Sequence, residues 1–129
     1  MAISNGKLYV TDIDELVEID LATARITNKY PVEGAEFLND ADAYEGKIYF
    51  TDMNKGLLHV LDGGAVTTVS DSNASLNGVA VDSSGKIYGL DGSGLKMINS
   101  DGSSSIINST VTGGDGLIIL GDGNFIASR

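Results

Sequence analysis

The sequence of 129 residues contains no cysteine and no tryptophan, and it has a single proline. Without cysteine, the chain forms no disulfide and offers no thiolate as a nucleophile or metal ligand. Cysteine usage therefore excludes thiol chemistry, and it gives no indication of the compartment in which the protein works.

Long apolar runs are absent as well. No apolar segment approaches the ~18 residues that a membrane-spanning helix requires. The Met-Ala-Ile-Ser opening lacks the charged and apolar regions of a signal peptide. We therefore expect a soluble chain without a signal peptide or transmembrane segment, in a compartment that the sequence does not specify.

Basic residues are scarce. Eight Lys and Arg residues stand against eighteen Asp and Glu residues, which gives a formal net charge of -10. A surface this acidic repels phosphate backbones and anionic lipids. The composition thus predicts no nucleic-acid partner and no membrane partner, and it favours cations or small neutral ligands.

Residues that form tight turns are abundant. The chain has 17 glycines but only five tyrosines and three phenylalanines. Many short strands joined by glycine-containing turns have this composition, whereas long helices do not. The composition predicts an all-β protein.

A heptapeptide recurs at a nearly constant spacing. It reads Gly-Lys-Leu-Tyr-Val-Thr-Asp at 6–12, Gly-Lys-Ile-Tyr-Phe-Thr-Asp at 46–52 and Gly-Lys-Ile-Tyr-Gly-Leu-Asp at 85–91, and a degenerate copy begins at Gly123. A second series of short apolar segments opens with a polar residue at Asn39, Asn77 and Asp115. Four strands in each unit of about 40 residues are typical of a β-propeller blade.

These repeats predict one partial β-propeller domain over 1–129. The repeats cover about 6–45, 46–84 and 85–122, and the start of the next covers 123–129, giving three four-stranded blade repeats and the start of a fourth. A β-sandwich is the alternative, but it does not need the same heptapeptide three times. With the inner strand first in each blade, we expect the chain to begin at a second strand, so that the blade containing Lys7 has no inner strand.

A partial ring exposes apolar blade faces and unpaired strand edges, which favour self-association. The predicted partner is a second copy, in a dimer that closes a six-bladed ring. In that dimer the strand at Asp115 of one chain would complete the blade at Lys7 of the other. The strand at 124–128 would compete for the same position, which favours instead a segment of a longer propeller.

Three segments resemble one known family. They are Phe37-Leu-Asn-Asp40, Leu76-Asn-Gly-Val-Ala-Val-Asp-Ser-Ser-Gly-Lys-Ile-Tyr88 and Gly114-Asp-Gly-Leu117. They resemble the six-bladed senescence-marker, regucalcin and gluconolactonase family, whose inner strands open with Asn-Asp, Asn-Gly and Asp-Gly around one divalent cation. The resemblance implies Asn39, Asn77 and Asp115 as metal ligands. The remaining ligand of the family, a Glu on an early inner strand, has no counterpart in this chain.

The resemblance implies a metal-dependent hydrolase of lactones or related esters. Strand alternation places the starts of all inner strands on one face of the disc, so Asn39, Asn77 and Asp115 should converge near the axis. Two amide oxygens and a carboxylate suit Ca²⁺, Mg²⁺ or Mn²⁺. The cation would polarise the carbonyl and acidify water, and Asp115 would act as both ligand and catalytic base.

Other interpretations remain open at this stage. The Asn-Asp, Asn-Gly and Asp-Gly pairs are also common turn dipeptides that tolerate positive φ. The protein could be a binding propeller with NHL-like repeats that needs no cation, or a half-propeller whose only activity is self-association.

The remaining polar and aromatic repeat positions are expected to be structural. The only histidine, His59, is predicted to be a packing or surface residue and not part of a catalytic triad. The aspartates that end the heptapeptide should cap the following hairpin: Asp12, Asp52 and Asp91. The tyrosines of the heptapeptide should wedge between blades: Tyr9, Tyr49 and Tyr88.

Overall fold

The computed structural model describes residues 1–128, which form fourteen β-strands in four antiparallel sheets. Sheet 1 contains β1 (Ala2–Ser4), β2 (Lys7–Asp12), β3 (Glu15–Asp20) and β4 (Arg25–Pro31). Sheet 2 contains β5 (Leu38–Tyr44), β6 (Lys47–Asp52), β7 (Leu57–Asp62) and β8 (Ala65–Ser70). Sheet 3 contains β9 (Gly78–Val81), β10 (Ile87–Asp91), β11 (Gly94–Ile98) and β12 (Ser104–Asn108). Sheet 4 contains β13 (Leu117–Ile119) and β14 (Phe125–Ala127).

Within each sheet the strands lie in chain order. The inner strands β1, β5, β9 and β13 contact one another in succession, so the sheets radiate from one wall. This arrangement confirms the prediction of three four-stranded blades followed by the start of a fourth. Each sequence repeat is displaced from a sheet by one strand, because it runs from a second strand to the next inner strand.

Sheet 1 differs from the prediction. Its inner strand is present, since Ala2 pairs with Tyr9 and Ser4 pairs with Lys7. The expectation that the blade at Lys7 lacks an inner strand is therefore wrong, and sheet 1 has no vacant inner position for the strand at Asp115 of a second copy. The sequence pattern missed β1 because this strand is three residues long and no polar residue of the Asn39 type opens it.

The heptapeptide begins with glycine because a tight turn joins the inner strand to the second strand. Glu45 and Gly46 have φ values of 48° and 80°, the left-handed pair that a two-residue hairpin turn requires. At Gly85 packing adds a second requirement, because a Cβ there would lie 2.8 Å from the ring of Tyr44. The spacing of the heptapeptides in the sequence therefore gives the spacing of these hairpins in the fold.

The core consists of three apolar clusters, one between each pair of successive sheets. One face of each four-stranded sheet carries the tyrosine of the second strand, and we call it the tyrosine face. The opposite face, which packs against the tyrosine face of the preceding sheet, is the receiving face. Tyr9, Tyr49 and Tyr88 are half-buried at the three contacts, so the prediction that they wedge between blades is confirmed.

His59 is a packing residue, as predicted. Its ring is buried 5.4 Å from the ring of Phe50, and its Nδ1 lies 3.2 Å from Thr68 Oγ1. Burial lowers the pKa of His59 below its ordinary value, although Asp52 raises it slightly. The imidazole therefore stays neutral and fills space within sheet 2.

The aspartate that ends each second strand anchors two segments of backbone. The fully buried carboxylate of Asp52 accepts a hydrogen bond from Lys55 N at 3.2 Å, in the following hairpin. It also accepts bonds from Glu36 N at 2.8 Å and Phe37 N at 3.2 Å, in the segment that enters the sheet. Asp52 thus caps the hairpin, as predicted, and also fixes the connection between sheets 1 and 2.

Asp91 repeats this arrangement in sheet 3, where it accepts bonds from Ser93 N and Ala74 N at 2.8 and 2.9 Å. It also forms a buried ion pair with Lys96, with 2.6 Å between Oδ2 and Nζ. Burial alone would raise the pKa of Asp91, but Lys96 and the hydrogen-bond donors outweigh it and lower that pKa. Asp12 is exposed, and in the described residues no hydrogen bond reaches its carboxylate.

Replacing Asp52 by Ala should lower the free energy of unfolding by about 2 to 4 kcal/mol, because buried backbone amides lose their acceptor. Asp12→Ala, at the equivalent position of sheet 1, is the matched control and should change it by less than about 0.5 kcal/mol. Urea denaturation followed by circular dichroism measures both variants. Equal losses in the two variants would contradict the anchoring role.

Candidate functional site

The inner strands line a concave groove of about 480 Å³. Its wall combines the carboxylates Asp40 and Asp42 on β5 with aliphatic side chains on β9 and β13. A groove of this size accommodates a small molecule. The residues predicted as metal ligands are not among its lining residues in the described chain: Asn39 is the second residue of β5, and Asn77 and Asp115 lie one and two residues before β9 and β13.

Asn77 and Asp115 lie in direct contact at the start of β9 and β13. Asn77 Nδ2 donates a hydrogen bond of 3.1 Å to Asp115 Oδ1. Because an ionised carboxylate only accepts, this contact fixes which end of the amide faces Asp115. The Asn77 side chain is 9% exposed, and its Oδ1 is buried without a hydrogen-bond partner in the described residues. Burying an acceptor without a partner lowers the free energy of unfolding by about 1 to 3 kcal/mol.

The backbone of Asn77 is held by its neighbours on both sides. Its carbonyl oxygen accepts a 2.8 Å bond from Thr51 Oγ1 in sheet 2, and its amide donates a 3.0 Å bond to Leu90 O in sheet 3. These contacts fix the point from which the side chain projects. The backbone position of Asn77 is therefore set by contacts with sheets 2 and 3.

A turn does not account for the Asn-Gly pair at this position. Asn77 and Gly78 both have φ outside the left-handed region. Glycine is favoured instead by close packing, because a Cβ on Gly78 would lie 3.3 Å from the backbone of Gly116 and from Leu117 Cβ. Gly78 thus lies where the segment that enters β13 packs closely against the start of β9.

Asn39 occupies the equivalent position of sheet 2, but its side chain has a different partner. Its carbonyl oxygen accepts a hydrogen bond from Thr11 Oγ1, which repeats the Thr51 contact. Its Nδ2 lies 3.7 Å from Met53 Sδ. Within residues 1–128 no hydrogen bond joins Asn39 to Asn77 or Asp115. The structure therefore brings together two of the three predicted ligands.

Two further carboxylates in the groove were not predicted. Asp40 Oδ2 accepts a 3.0 Å bond from Val79 N, and Asp42 Oδ2 accepts a 2.7 Å bond from Val81 N. These amides lie on the groove edge of β9, where the sheet offers them no strand partner. A signal was present in the sequence, because Asn39-Asp-Ala-Asp-Ala places two carboxylates on one face of a strand.

Burial raises the pKa of Asp40 above its ordinary value of 3.8. Bonds from the amides of Val79 and Ala41, and the Met1 amino group 3.9 Å from Oδ1, act in the opposite direction. The neighbouring charge of Asp42 adds to the rise. The carboxylate is thus held in a position where its charged form is disfavoured.

Two of the three predicted ligands, Asn39 and Asn77, are amide side chains, and only Asp115 is a carboxylate. Among residues 1–128, no three His, Asp or Glu side chains group together as metal ligands.

The same residues include no helix that is long and apolar enough to span a membrane.

Solved structures share the arrangement of sheets. Virginiamycin B lyase from Staphylococcus aureus superimposes with a TM-score of 0.75 at 16% identity, over 98% of this chain and 46% of that one. A protein of unknown function from Bacteroides caccae gives 0.65 at 14% identity, over 96% and 50%. The extracellular domain of the putative one-component system BT4673 from B. thetaiotaomicron gives 0.53 at 12% identity, over 100% and 26%.

The chain has a propeller fold. It spans about half the length, or less, of the structures it matches. No family model and no curated protein sequence matches it. At these levels of identity the likeness concerns the fold alone.

Replacing Asp40 by Asn should alter how stability depends on pH. Because the pKa of Asp40 is raised in the folded state, the folded protein binds this proton more tightly than the unfolded chain. Wild-type stability should therefore fall relative to Asp40→Asn as the pH rises from about 3.8 towards neutrality. Urea denaturation at a series of pH values measures the difference.

Asp122→Asn provides a control of opposite sign. The side chain and amide of Asn124 lower the pKa of Asp122, so the wild type should gain stability relative to that variant as the pH rises. If Asp40→Asn followed the same direction as Asp122→Asn, burial would not be the dominant influence on Asp40.

Proposed function

We propose that Asn77 and Asp115 form part of a divalent-cation site beside the inner-strand groove, in a propeller that hydrolyses lactones or related esters. The observation that carries this proposal is the buried Asn77 Oδ1, which has no hydrogen-bond partner among residues 1–128 and belongs to the amide whose Nδ2 contacts the carboxylate of Asp115. The proposal places the chain with the senescence-marker, regucalcin and gluconolactonase family, whose inner strands open with the same dipeptides.

The ligand set fits a hard cation such as Ca²⁺, Mg²⁺ or Mn²⁺. The exposed Asp115 carboxylate would bind it directly, and Asn77 would bind it by turning its amide so that Oδ1 replaces Nδ2 on the side of Asp115. Water would fill further positions. Asn39 would join by turning its amide away from Met53 Sδ. This rearrangement is inexpensive because a thioether is a weak acceptor. Two Asn oxygens and one Asp carboxylate are then the protein's contribution.

When bound, such a cation polarises a carbonyl oxygen and acidifies a bound water. The exposed carboxylate of Asp115 would take the proton from the attacking water. Thr51 and Leu90 hold Asn77 in place by their bonds to its backbone. The carboxylates of Asp40 and Asp42 disfavour anionic ligands, so a small neutral lactone or ester is the expected substrate class.

A binding propeller without catalysis is the second candidate. It is supported by the engagement of Asp40 and Asp42 with backbone amides and by the aliphatic wall of the groove. Such a groove would hold a small neutral ligand without any cation. The hydrolase needs a divalent cation for its activity, whereas the binding propeller holds its ligand without one.

Titration of the protein with Ca²⁺, Mn²⁺ and Mg²⁺ by calorimetry should show saturable binding of at least one cation. Asn77→Ala and Asp115→Asn should each weaken it by about tenfold or more, because each removes a ligand oxygen or its charge. Asp12→Asn, which changes the charge by the same amount at an exposed position, should leave the affinity unchanged. The cation that binds is then supplied in a lactone-hydrolysis assay with the same variants.

Absence of heat with all three cations, or binding that survives both substitutions, would refute the cation site. Binding that depends on Asn77 and Asp115 without turnover of any lactone or ester would retain the site and refute the hydrolase. Retention of a neutral lactone by the cation-free protein would then favour the binding propeller.

A further inference from the structure

The contacts between successive sheets repeat in register. Sheet 2 presents Ile48, Phe50 and Leu61 on its receiving face, and all three are buried against the tyrosine face of sheet 1. Sheet 3 presents Ile87 and Ile98 at equivalent positions, buried against the tyrosine face of sheet 2. An apolar receiving face is therefore the partner of a preceding tyrosine face.

Sheet 1 carries the same pattern on its own receiving face. One row of paired residues crosses all four of its strands: Ile3, Leu8, Ile19 and Ile26. Ile3 is 65% exposed and Ile26 is 59% exposed. In the described residues no sheet covers this face. The strand pairing thus produces an apolar face that matches the two buried receiving faces.

Sheet 4 presents the complementary side. Ile118 pairs with Ile126, just as Ala2 pairs with Tyr9 in sheet 1, so both isoleucines lie on the tyrosine face. They are 59% and 52% exposed. The opposite face of this hairpin is packed on sheet 3 through Leu117.

We propose that two copies of this chain associate by docking the β13–β14 hairpin of one copy on the receiving face of sheet 1 of the other. Ile118 and Ile126, which also line one end of the inner-strand groove, would cover Ile3, Leu8 and Val10, the inner part of that face. Repeating the same contact around a two-fold axis closes a ring of two arcs.

Two observations favour a second copy as the occupant. The solved virginiamycin B lyase is about twice as long as this chain, so two arcs supply about as much propeller as that chain does. Each copy also exposes both sides of the contact, since Ile3 and Ile26 lie on one end face, Ile118 and Ile126 lie on the other, and all four are more than half exposed.

This contact differs from strand exchange. Lys7 already pairs with Ser4 of its own chain, so no strand position is vacant in sheet 1. Docking of one sheet face on another needs no vacant strand position. It repeats the packing that already joins sheets 1 to 4.

Light scattering after size exclusion should give the mass of two chains for the wild type. Ile3→Lys and Ile126→Asp should each raise the dimer dissociation constant by more than about tenfold, because a charge is buried without a partner. An equimolar mixture of the two variants should regain the two-chain mass, since Lys then faces Asp at one contact and the other contact is wild type. Ile106→Lys, on the outermost strand of sheet 3, should remain a dimer.

A monomeric or polymeric wild type would overturn the proposal, as would single variants that keep the wild-type mass or a mixture that stays monomeric. Cysteine pairing gives a second measurement that does not depend on charge. Chains with Ile3→Cys and Ile126→Cys, mixed and oxidised, should form one disulfide-linked species of two chains. The wild type has no cysteine, so such a species reports this contact, and its absence would also overturn the proposal.

Discussion

The packing of one sheet face on the next, repeated in a constant register, is the interaction on which the rest of the structure depends. Each contact sets a tyrosine face against aliphatic residues of the following sheet, as Tyr9 does against Ile48 and Phe50. A single four-stranded sheet cannot bury both of its apolar faces, so stability comes from neighbours. The same constraint explains why the two ends of the arc remain apolar.

Polar contacts between neighbouring inner strands follow from this packing. β9 lies at the groove, where its edge amides have no strand partner, and the carboxylates of Asp40 and Asp42 supply the missing acceptors. Thr11 and Thr51 perform the converse task, because their hydroxyls donate to the carbonyl that opens the next sheet. Sheet 3 has Leu90 at this position, which packs in the apolar cluster between sheets 3 and 4, and the polar contact there is made by Asn77 with Asp115 instead.

Much of this fold could be predicted from sequence because the heptapeptide reports a turn geometry that only a few residues satisfy. Gly46 and Gly85 mark the hairpins, and their spacing marks the blades. The sequence pattern did not predict β1, because the strand Ala2–Ser4 is short and is defined by its pairing with β2, as between Ala2 and Tyr9. The sequence placed Asn39, Asn77 and Asp115 at equivalent positions, but it did not reveal that Met53 lies beside the amide of Asn39. Contacts across strands depend on neighbours that periodicity does not encode.

The proposed cation site and the proposed self-association share one element, the β13–β14 hairpin. Asp115, immediately before it, contacts Asn77, and the hairpin presents Ile118 and Ile126 on its exposed face. A cation held between Asn77 and Asp115 would tie the start of this hairpin to sheet 3 and restrict its motion. A hairpin already ordered loses less conformational entropy on docking. Because coupling between two binding events is reciprocal, docking would in turn favour the cation.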